Sequence, residues 1–385
     1  MIKKAAVLIE IQVRNGKVEV IMENSQAILV HPKQFEIEEC PIPEPKAHEI
    51  LMKVEYVGMC GSDIHGFEFG PYKKPKPGQK VGLGHEVAGE VVKIGSEVTK
   101  FKVGDKVLIE PGVPDDTCEY CRSGHYNVCP DVDFLATAPN FKGAYTKYMT
   151  HPESWTYHIP EGMSTLEAAL VEPAAVGMHA AILGGAKLGS HIVILGCGTI
   201  GLMTLQACLS LGATDITMVD MIQKKLDFAK KLGARQIINT ADIKPSEGDR
   251  CTPDDIASYL RSDEQFGRHG VDLVFECSGS GFLAQVAVGI VAFAGKIMMV
   301  GTQAKPVPVD FGRINREVTI MTTFRYCNNF PQTIEAIATG KFNVKDMVTG
   351  IYDYKDIQKA FEEAIDPVKK QDLIKGVIRI GGTED

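Results

Sequence analysis

At 385 residues the chain is longer than one compact core usually supports, so two domains are expected. A composition of 44% apolar and 23% charged residues excludes a disordered or low-complexity protein. The formal charge of -8 is spread along the chain without a clustered basic stripe, which argues against nucleic acid as a partner. The opening Met1 to Lys4 is charged, but Ala5 to Ile9 is too short for a signal-peptide core. No stretch approaches the roughly 20 apolar residues that would span a bilayer. A cytoplasmic location is therefore expected, with the ten cysteines serving as thiols or metal ligands rather than disulfides.

The first predicted element is a hairpin, because "VRNGKVEVIM" places Asn15-Gly16 between two alternating runs and a two-residue type I′ turn needs positive φ at both positions. Short β-branched runs follow, among them "EILMKVEYVG", "HEVAGEVVKIG" and "GDKVLIEPG", separated by Gly and Pro. With no long 3.6-period segment before about residue 164, this is a strand-and-loop region. From about 174 short buried runs alternate with helical periods: "HIVILG", "TIGLMTLQACLSLGA", "DITMVD", "KKLDFAKKLGA", "QIIN", a helix near 254 to 261, "VDLVFECSG", a further helix and "GKIMMVG". That alternation predicts a doubly wound parallel sheet. Two helices, in "FPQTIEAIATG" and "DIQKAFEEAI", and a closing strand "GVIRIG" return the chain to its first region. The expected division is 1–173 with 322–385 as a β-rich domain, and 174–321 as an α/β nucleotide-binding domain.

Three groups of residues carry chemistry. Gly196, Gly198 and Gly201 form G-x-G-x-x-G around Thr199 and Ile200, between a strand and a helix, with Asp220 ending the next strand 19 residues later. Such glycines allow a tight turn, backbone approach to a pyrophosphate and helix–strand packing, while the helix N-terminus attracts phosphate. Asp220 would accept hydrogen bonds from both ribose hydroxyls and repel a 2′-phosphate, which favours NAD over NADP. Lys225 is a further candidate for the ribose, or a solvated helix lysine.

A second group is "GMCGSDIH" with "GLGHEVAGE", which offers Cys60, Ser62, Asp63, His65, His85 and Glu86. One thiolate, one imidazole and one carboxylate make a three-donor set of the kind that leaves a catalytic zinc an open position. His85 and Glu86 are adjacent, and neighbours on a regular strand face opposite ways, so the chain must bend there. Gly82 and Gly84 would permit it. Glu172, in "LVEPAAVGMHA", is a second acid at the domain junction, either a ligand, the holder of a zinc-bound water, or a helix N-terminal acid before Pro173. The third group, "DDTCEYCRSGHYNVC", spaces Cys118, Cys121 and Cys129 as C-x2-C-x7-C.

Taken in order, C-G-S-D-x-H, G-H-E, a cysteine cluster, E-P-x-x-V-G-x-H-A and G-x-G-x-x-G resemble the zinc-dependent medium-chain dehydrogenases over nearly the whole chain from about Ser25. "FRYCNNFP" and "FLATAPNFKGAY" are similar to the sorbitol (polyol) dehydrogenase branch. The resemblance implies a GroES-like β-rich catalytic domain with a Rossmann domain, assembled as a homotetramer or homodimer. It implies that Cys60, His85 and Glu86 bind a catalytic zinc, with Glu172 on its water. Ser62 and His65 occupy proton-relay positions, and Val300 and Gly301 join the cofactor-binding residues. Phe134, Arg325 and Tyr326 face the polyol substrate. In the resembled family the third group is a closed structural zinc lobe with spacing x2, x2, x7. Asp115 stands where its first cysteine would be, with Asp116 one residue short. The chain departs from the animal-type polyol enzymes in carrying Gly66, where they have an aromatic residue after the relay histidine.

The expected activity is NAD-dependent oxidation of a secondary hydroxyl of a polyol such as sorbitol or xylitol to the ketose. The alternatives are a related zinc dehydrogenase acting on threonine, glucose or 2,3-butanediol, and a non-catalytic nucleotide-binding relative.

Overall fold

In a computed structural model the structure describes residues 10–14, 17–21, 23–262 and 270–382. Strands Glu10–Arg14 and Lys17–Ile21 pair antiparallel with Arg14 opposite Lys17. The Asn15-Gly16 pair expected to turn them lies outside the described residues.

The first half of the chain builds a seven-stranded sheet around strand Glu49–Gly58, a run buried along nearly its whole length. Its antiparallel neighbours are Glu86–Ile94, Tyr148–Pro152 and Lys375–Arg379, the last from the C-terminal end of the chain. Strands Lys106–Ile109 and Thr156–His158 extend one side and Val348–Asp353 the other. Gly89 lets the two central strands meet, since a Cβ there would lie 2.0 Å from the Lys53 carbonyl oxygen. One helix in this half, Gly61–Phe69, was not expected from the sequence. It contains Gly61 and Gly66 and has no apolar stripe, so no 3.6-residue period announces it. Tertiary packing of Phe67 against Phe35 and Phe361 holds it.

The second half is a six-stranded parallel sheet in the order 236–239, 215–220, 191–195, 271–276, 291–299, 319–322. The order reverses between strands His191–Leu195 and Val271–Glu276, the switch point at which sheets of this kind carry a crevice at the carboxyl ends of the strands. Helices Thr199–Ser210, Gln223–Lys231, Pro253–Ser262 and Gly281–Ile290 cover its faces. The edge strand Thr319–Thr322 was also not singled out in the sequence. All four of its residues are exposed, so the burial signal of the other strands is missing. No helix among the described residues is long and apolar enough to cross a membrane.

Helix Val171–Gly184 links the two sheets and runs across the expected junction at 173/174. One apolar cluster joins Leu108 and Phe134 of the first half to Leu202, Met203 and Phe330 of the second. Within it helices Val171–Gly184 and Thr199–Ser210 approach closely, because a Cβ on Gly177 would lie 2.6 Å from the Met203 carbonyl carbon. Backbone cannot yield as a flexible side chain can. Gly177→Ala should therefore overpack this crossing and cost about 1–3 kcal/mol. We expect a lower urea midpoint with an unchanged m-value. An unchanged midpoint would show that the helices part freely.

Candidate active site and metal centres

Cys60 caps the start of helix Gly61–Phe69, with extended backbone (φ -82°, ψ 150°). His85 and Glu86 come from the neighbouring segment, where Gly84 supplies the required bend at φ +92°. A Cβ on Gly84 would also meet the Tyr145 ring at 3.0 Å, so both conformation and space demand glycine. Glu86 then starts its strand opposite Gly58, and its carboxylate fills the space that a side chain at 58 would take. One donor atom each from Cys60, His85 and Glu86 lies within 4.8 Å of the others. Glu172 stands outside this trio but near it, in the first turn of its helix, and is 6% exposed.

The surroundings fit a cation. Burial alone would lower the His85 pKa, yet Asp63 and the Cys60 sulfur outweigh it and hold His85 well above its ordinary value. Burial also pushes the Glu172 carboxyl to about 7, with Glu86 adding to the rise and His85 opposing it. Asp63 Oδ1 lies 3.5 Å from His85 Nδ1 and accepts from the Gly84 N–H at 3.2 Å, so one carboxylate orients the imidazole and clamps its bend. Lys375, 2% exposed, places Nζ 2.7 and 2.5 Å from the two Glu86 oxygens and donates to the Met59 carbonyl at 2.9 Å. The sequence reading quoted Asp63 without assigning it a role and missed Lys375 altogether. Nothing in "LIKGVIRI" distinguishes a buried lysine from a surface one.

Ser62 Oγ lies 3.3 Å from Cys60 Sγ. His65, one helical turn on, stacks on Tyr72 with ring centroids 4.2 Å apart, and its Nδ1 is buried without a partner. Tyr72 thus supplies an aromatic face beside the helix that carries Gly66. Across the pocket the Arg325 guanidinium lies 3.7 Å from the Phe134 ring centroid, and Phe134 lies 5.5 Å from the His85 ring. Tyr326 is 3% exposed and faces Glu172. Arg325 Nη1 and Tyr326 Oη are both buried without a well-formed hydrogen bond.

At the crevice of the parallel sheet, Gly196 has φ +104°, and a Cβ on Gly201 would lie 1.9 Å from the Gly196 carbonyl oxygen. Gly198 caps the helix that begins at Thr199 and faces open space, as a phosphate cradle requires. Ile200 follows in the same first turn. Asp220 accepts from the backbone N–H groups of Cys197 (2.6 Å), Met221 (2.7 Å) and Ile222 (2.9 Å), which fixes its carboxylate beside the glycine loop. Lys225 is half-buried on the following helix. Val300 and Gly301 both donate their N–H groups to the Glu276 carbonyl at 2.8 Å, bringing their loop to the same crevice. The Glu276 carboxylate, wholly buried, gathers Ser278, Gly279 and Gln303 around it.

A second donor group stands apart. Asp115, Cys118, Cys121 and Cys129 bring one donor atom each within 4.8 Å of the others, while Asp116, at φ +59°, is not among them. Asp115 Oδ1 accepts from the N–H groups of Cys118 (3.1 Å) and Thr117 (2.9 Å), which hold its pKa below the usual carboxylate range. One aspartate and three thiols in a closed cluster are an acceptable tetrahedral zinc set.

Two family descriptions match the chain: the alcohol dehydrogenase GroES-like domain over residues 46–161 and the zinc-binding dehydrogenase over 199–339. An uncharacterized zinc-type alcohol dehydrogenase-like protein of Escherichia coli K12 is 55% identical over 93% of this chain and 99% of its own. The chain belongs to the zinc-dependent medium-chain dehydrogenases. Sorbitol dehydrogenase of Bacillus subtilis, 38% identical over 90% of this chain and 95% of its own, places it in the sorbitol dehydrogenase branch. A crystal structure of an Escherichia coli oxidoreductase of unknown specificity superposes with a TM-score of 0.88 at 54% identity, covering 94% of this chain and all of that one. The expected GroES-like and Rossmann architecture and zinc with a nicotinamide dinucleotide as cofactors hold for this family.

The contact between Glu86 and Gly58 is open to test. Gly58→Ala would place a methyl 1.8 Å from Glu86 Oε2 and displace that carboxylate. Metal content should fall by about one ion per chain while the Asp115–Cys129 cluster keeps its own. Unchanged content by elemental analysis would show that Glu86 is not held from that side.

Proposed function

We propose that the protein oxidises a secondary hydroxyl of a polyol to the ketose with NAD as hydride acceptor. The observation that carries this reading is the pair of buried, poorly satisfied donors, Arg325 Nη1 and Tyr326 Oη, placed beside Glu172 and the Cys60–His85–Glu86 trio. Buried polar groups without partners are costly unless a ligand satisfies them. A simple secondary alcohol has one hydroxyl and would leave both unused, whereas a polyol offers hydroxyls on the carbons flanking the one that reacts. The identities of 34–38% to named sorbitol dehydrogenases support the same reading.

In this assignment Cys60, His85 and Glu86 would hold the zinc, and Glu172 would accept from a water or hydroxyl beside it. Bound zinc supplies the Lewis acidity that makes an alcohol proton removable near neutral pH, and the nicotinamide supplies the hydride acceptor. Ser62 Oγ would accept the alcohol proton while releasing its own to the ribose hydroxyls of the cofactor, and His65, stacked on Tyr72, would pass that proton to solvent. Phe134 and Tyr326 exclude water from the reacting carbon. Gly196, Gly198, Thr199, Ile200 and Gly201 would receive the pyrophosphate, Asp220 the ribose, with Lys225 beside it, and Val300 and Gly301 the nicotinamide end. The cytoplasm suits ten cysteines of which none forms a disulfide. The exposed edge strand Thr319–Thr322, with Ile320 and Met321 on it, suits pairing in a homodimer or homotetramer.

Initial rates with NAD on sorbitol, xylitol, threonine, glucose and 2,3-butanediol test the substrate class. A polyol should be fastest, and Cys60→Ala should abolish turnover while losing one zinc per chain. Faster turnover of threonine or 2,3-butanediol would overturn the polyol assignment. A fully active Cys60→Ala protein without that zinc would overturn the mechanism. Asp220→Ala should raise the Michaelis constant for NAD by about tenfold, roughly 1.4 kcal/mol, and narrow the preference over NADP. An unaltered NAD to NADP ratio would remove Asp220 from cofactor selection.

A further inference from the structure

The loop 324–329 that carries Arg325 and Tyr326 is strained. Arg325 and Asn328 both adopt left-handed backbone, with φ +53° and +57°; asparagine accepts this readily, but in Arg325 it costs about 1 kcal/mol or more. Such a conformation persists only where neighbours impose it, and here the neighbours come from the second donor cluster. Tyr126 and Asn127 form a helical turn between Cys121 and Cys129. The Tyr126 hydroxyl accepts from the Asn328 N–H at 2.9 Å and donates to Glu110 Oε1 at 2.7 Å. Asn127, buried, donates Nδ2 to the Phe324 carbonyl at 2.8 Å. The Gly124 carbonyl accepts from Asn328 Nδ2 at 2.8 Å and from Cys327 Sγ at 3.0 Å. Three lobe residues within four positions, Gly124, Tyr126 and Asn127, thus fix both ends of the Arg325–Tyr326 pair.

Behind them stands Glu110, 1% exposed, which also accepts from the Tyr157 hydroxyl at 2.9 Å. Burial pushes its carboxyl to about 7 against the pull of the two tyrosine hydrogen bonds. A carboxylate in this position has one evident use, to orient the two phenols. Only Tyr126 hydrogen-bonds onward to the loop.

We propose that the cysteine lobe is the positioning device of the substrate site: Tyr126 and Asn127 hold loop 324–329 in the strained conformation that aims Arg325 and Tyr326 at the substrate. The lobe's donors Asp115, Cys118, Cys121 and Cys129 fix the backbone from which those two residues project, so a metal bound there would act on substrate binding without touching substrate. This rests on reading Arg325 and Tyr326 as substrate arms.

The test compares Tyr126→Phe, which keeps the ring and loses both hydrogen bonds, with Tyr157→Phe, which loses an equal bond to Glu110 but none to the loop. Hydrogen exchange at the Asn328 amide and steady-state kinetics on the fastest alcohol of the panel are read together. Tyr126→Phe should speed Asn328 exchange about tenfold and raise the KM for that alcohol about tenfold, as expected for one hydrogen bond of roughly 1.4 kcal/mol. Its kcat, its KM for NAD and its metal content should stay within about twofold of the parent, and Tyr157→Phe should leave Asn328 exchange unchanged. Unchanged Asn328 exchange in Tyr126→Phe, or equal acceleration in Tyr157→Phe, would overturn the proposal. So would an unchanged alcohol KM in Tyr126→Phe when Arg325→Ala raises it. If Arg325→Ala leaves the alcohol KM unchanged, the substrate reading of Arg325 is the one that falls, and the exchange data alone decide whether the lobe holds the loop.

Discussion

The site depends on one buried ion pair, Glu86 with Lys375. A lone carboxylate or ammonium at their depth would be untenable, and breaking such a pair typically costs about 3–5 kcal/mol. Yet a well-packed apolar pair of similar volume is often as stable, so stability alone does not explain two charges here. What the pair does is fix the Glu86 carboxylate over Gly58, since Lys375 holds both of its oxygens and is itself tied to the Met59 carbonyl. The strand partner Gly58, the bend at Gly84 and the ammonium of Lys375 together leave Glu86 one orientation. Three segments far apart in the chain must be in register for the trio to exist.

Lys375 also lies next to the residue that ties the two halves together. Thr199, the first residue of the nucleotide-binding helix, donates its hydroxyl to the carbonyl of Ile374. Gly376 accepts from the Met59 N–H at 2.9 Å, one residue before Cys60. The start of strand Lys375–Arg379 therefore touches the cofactor helix through 374, the Glu86 carboxylate through 375 and the approach to Cys60 through 376. Three successive residues thus connect the glycine loop of the parallel sheet to the Cys60–His85–Glu86 trio, two groups that in the proposed assignment hold the cofactor and the metal. Hydride transfer needs the reacting carbon and the nicotinamide held at a fixed separation, and this short segment is the most direct mechanical link between the two groups that hold them.

Where the sequence was legible, local rules sufficed. The parallel sheet followed from alternation of apolar runs and helical periods, and the cradle from three glycines whose spacing each has its own steric reason. The cysteine cluster was legible because its donors lie within 15 residues of one another. What stayed hidden depended on contacts across the chain. Helix Gly61–Phe69 has no apolar stripe, since the face it buries is made of Asp63, Gly66 and Phe67, of which only Phe67 is a large apolar residue. Strand Thr319–Thr322 is exposed, so its pattern lacks the apolar run that marks its neighbours. Lys375 reads as an ordinary lysine until Glu86, 289 positions away, is seen beside it. Glu110 reads as the polar end of a strand until Tyr126 and Tyr157 converge on it.

These hidden residues share a character that bears on specificity. Asp63, Glu110, Glu276 and Lys375 are buried ionisable groups, each with its own set of polar partners, and each lies against a group of the candidate site: His85, the loop of Arg325, the loop of Gly301, and Glu86. Apolar side chains could fill the same volumes, but dispersion contacts are non-directional and would leave the oriented groups free to rotate. Catalytic geometry tolerates about 0.5 Å of error. A core that was only well packed would meet the stability requirement and miss this one. Buried ionisable groups gathered around the Cys60–His85–Glu86 trio, the Arg325 loop and the Gly301 loop are what a fold looks like when part of its interior is selected for aim rather than for burial.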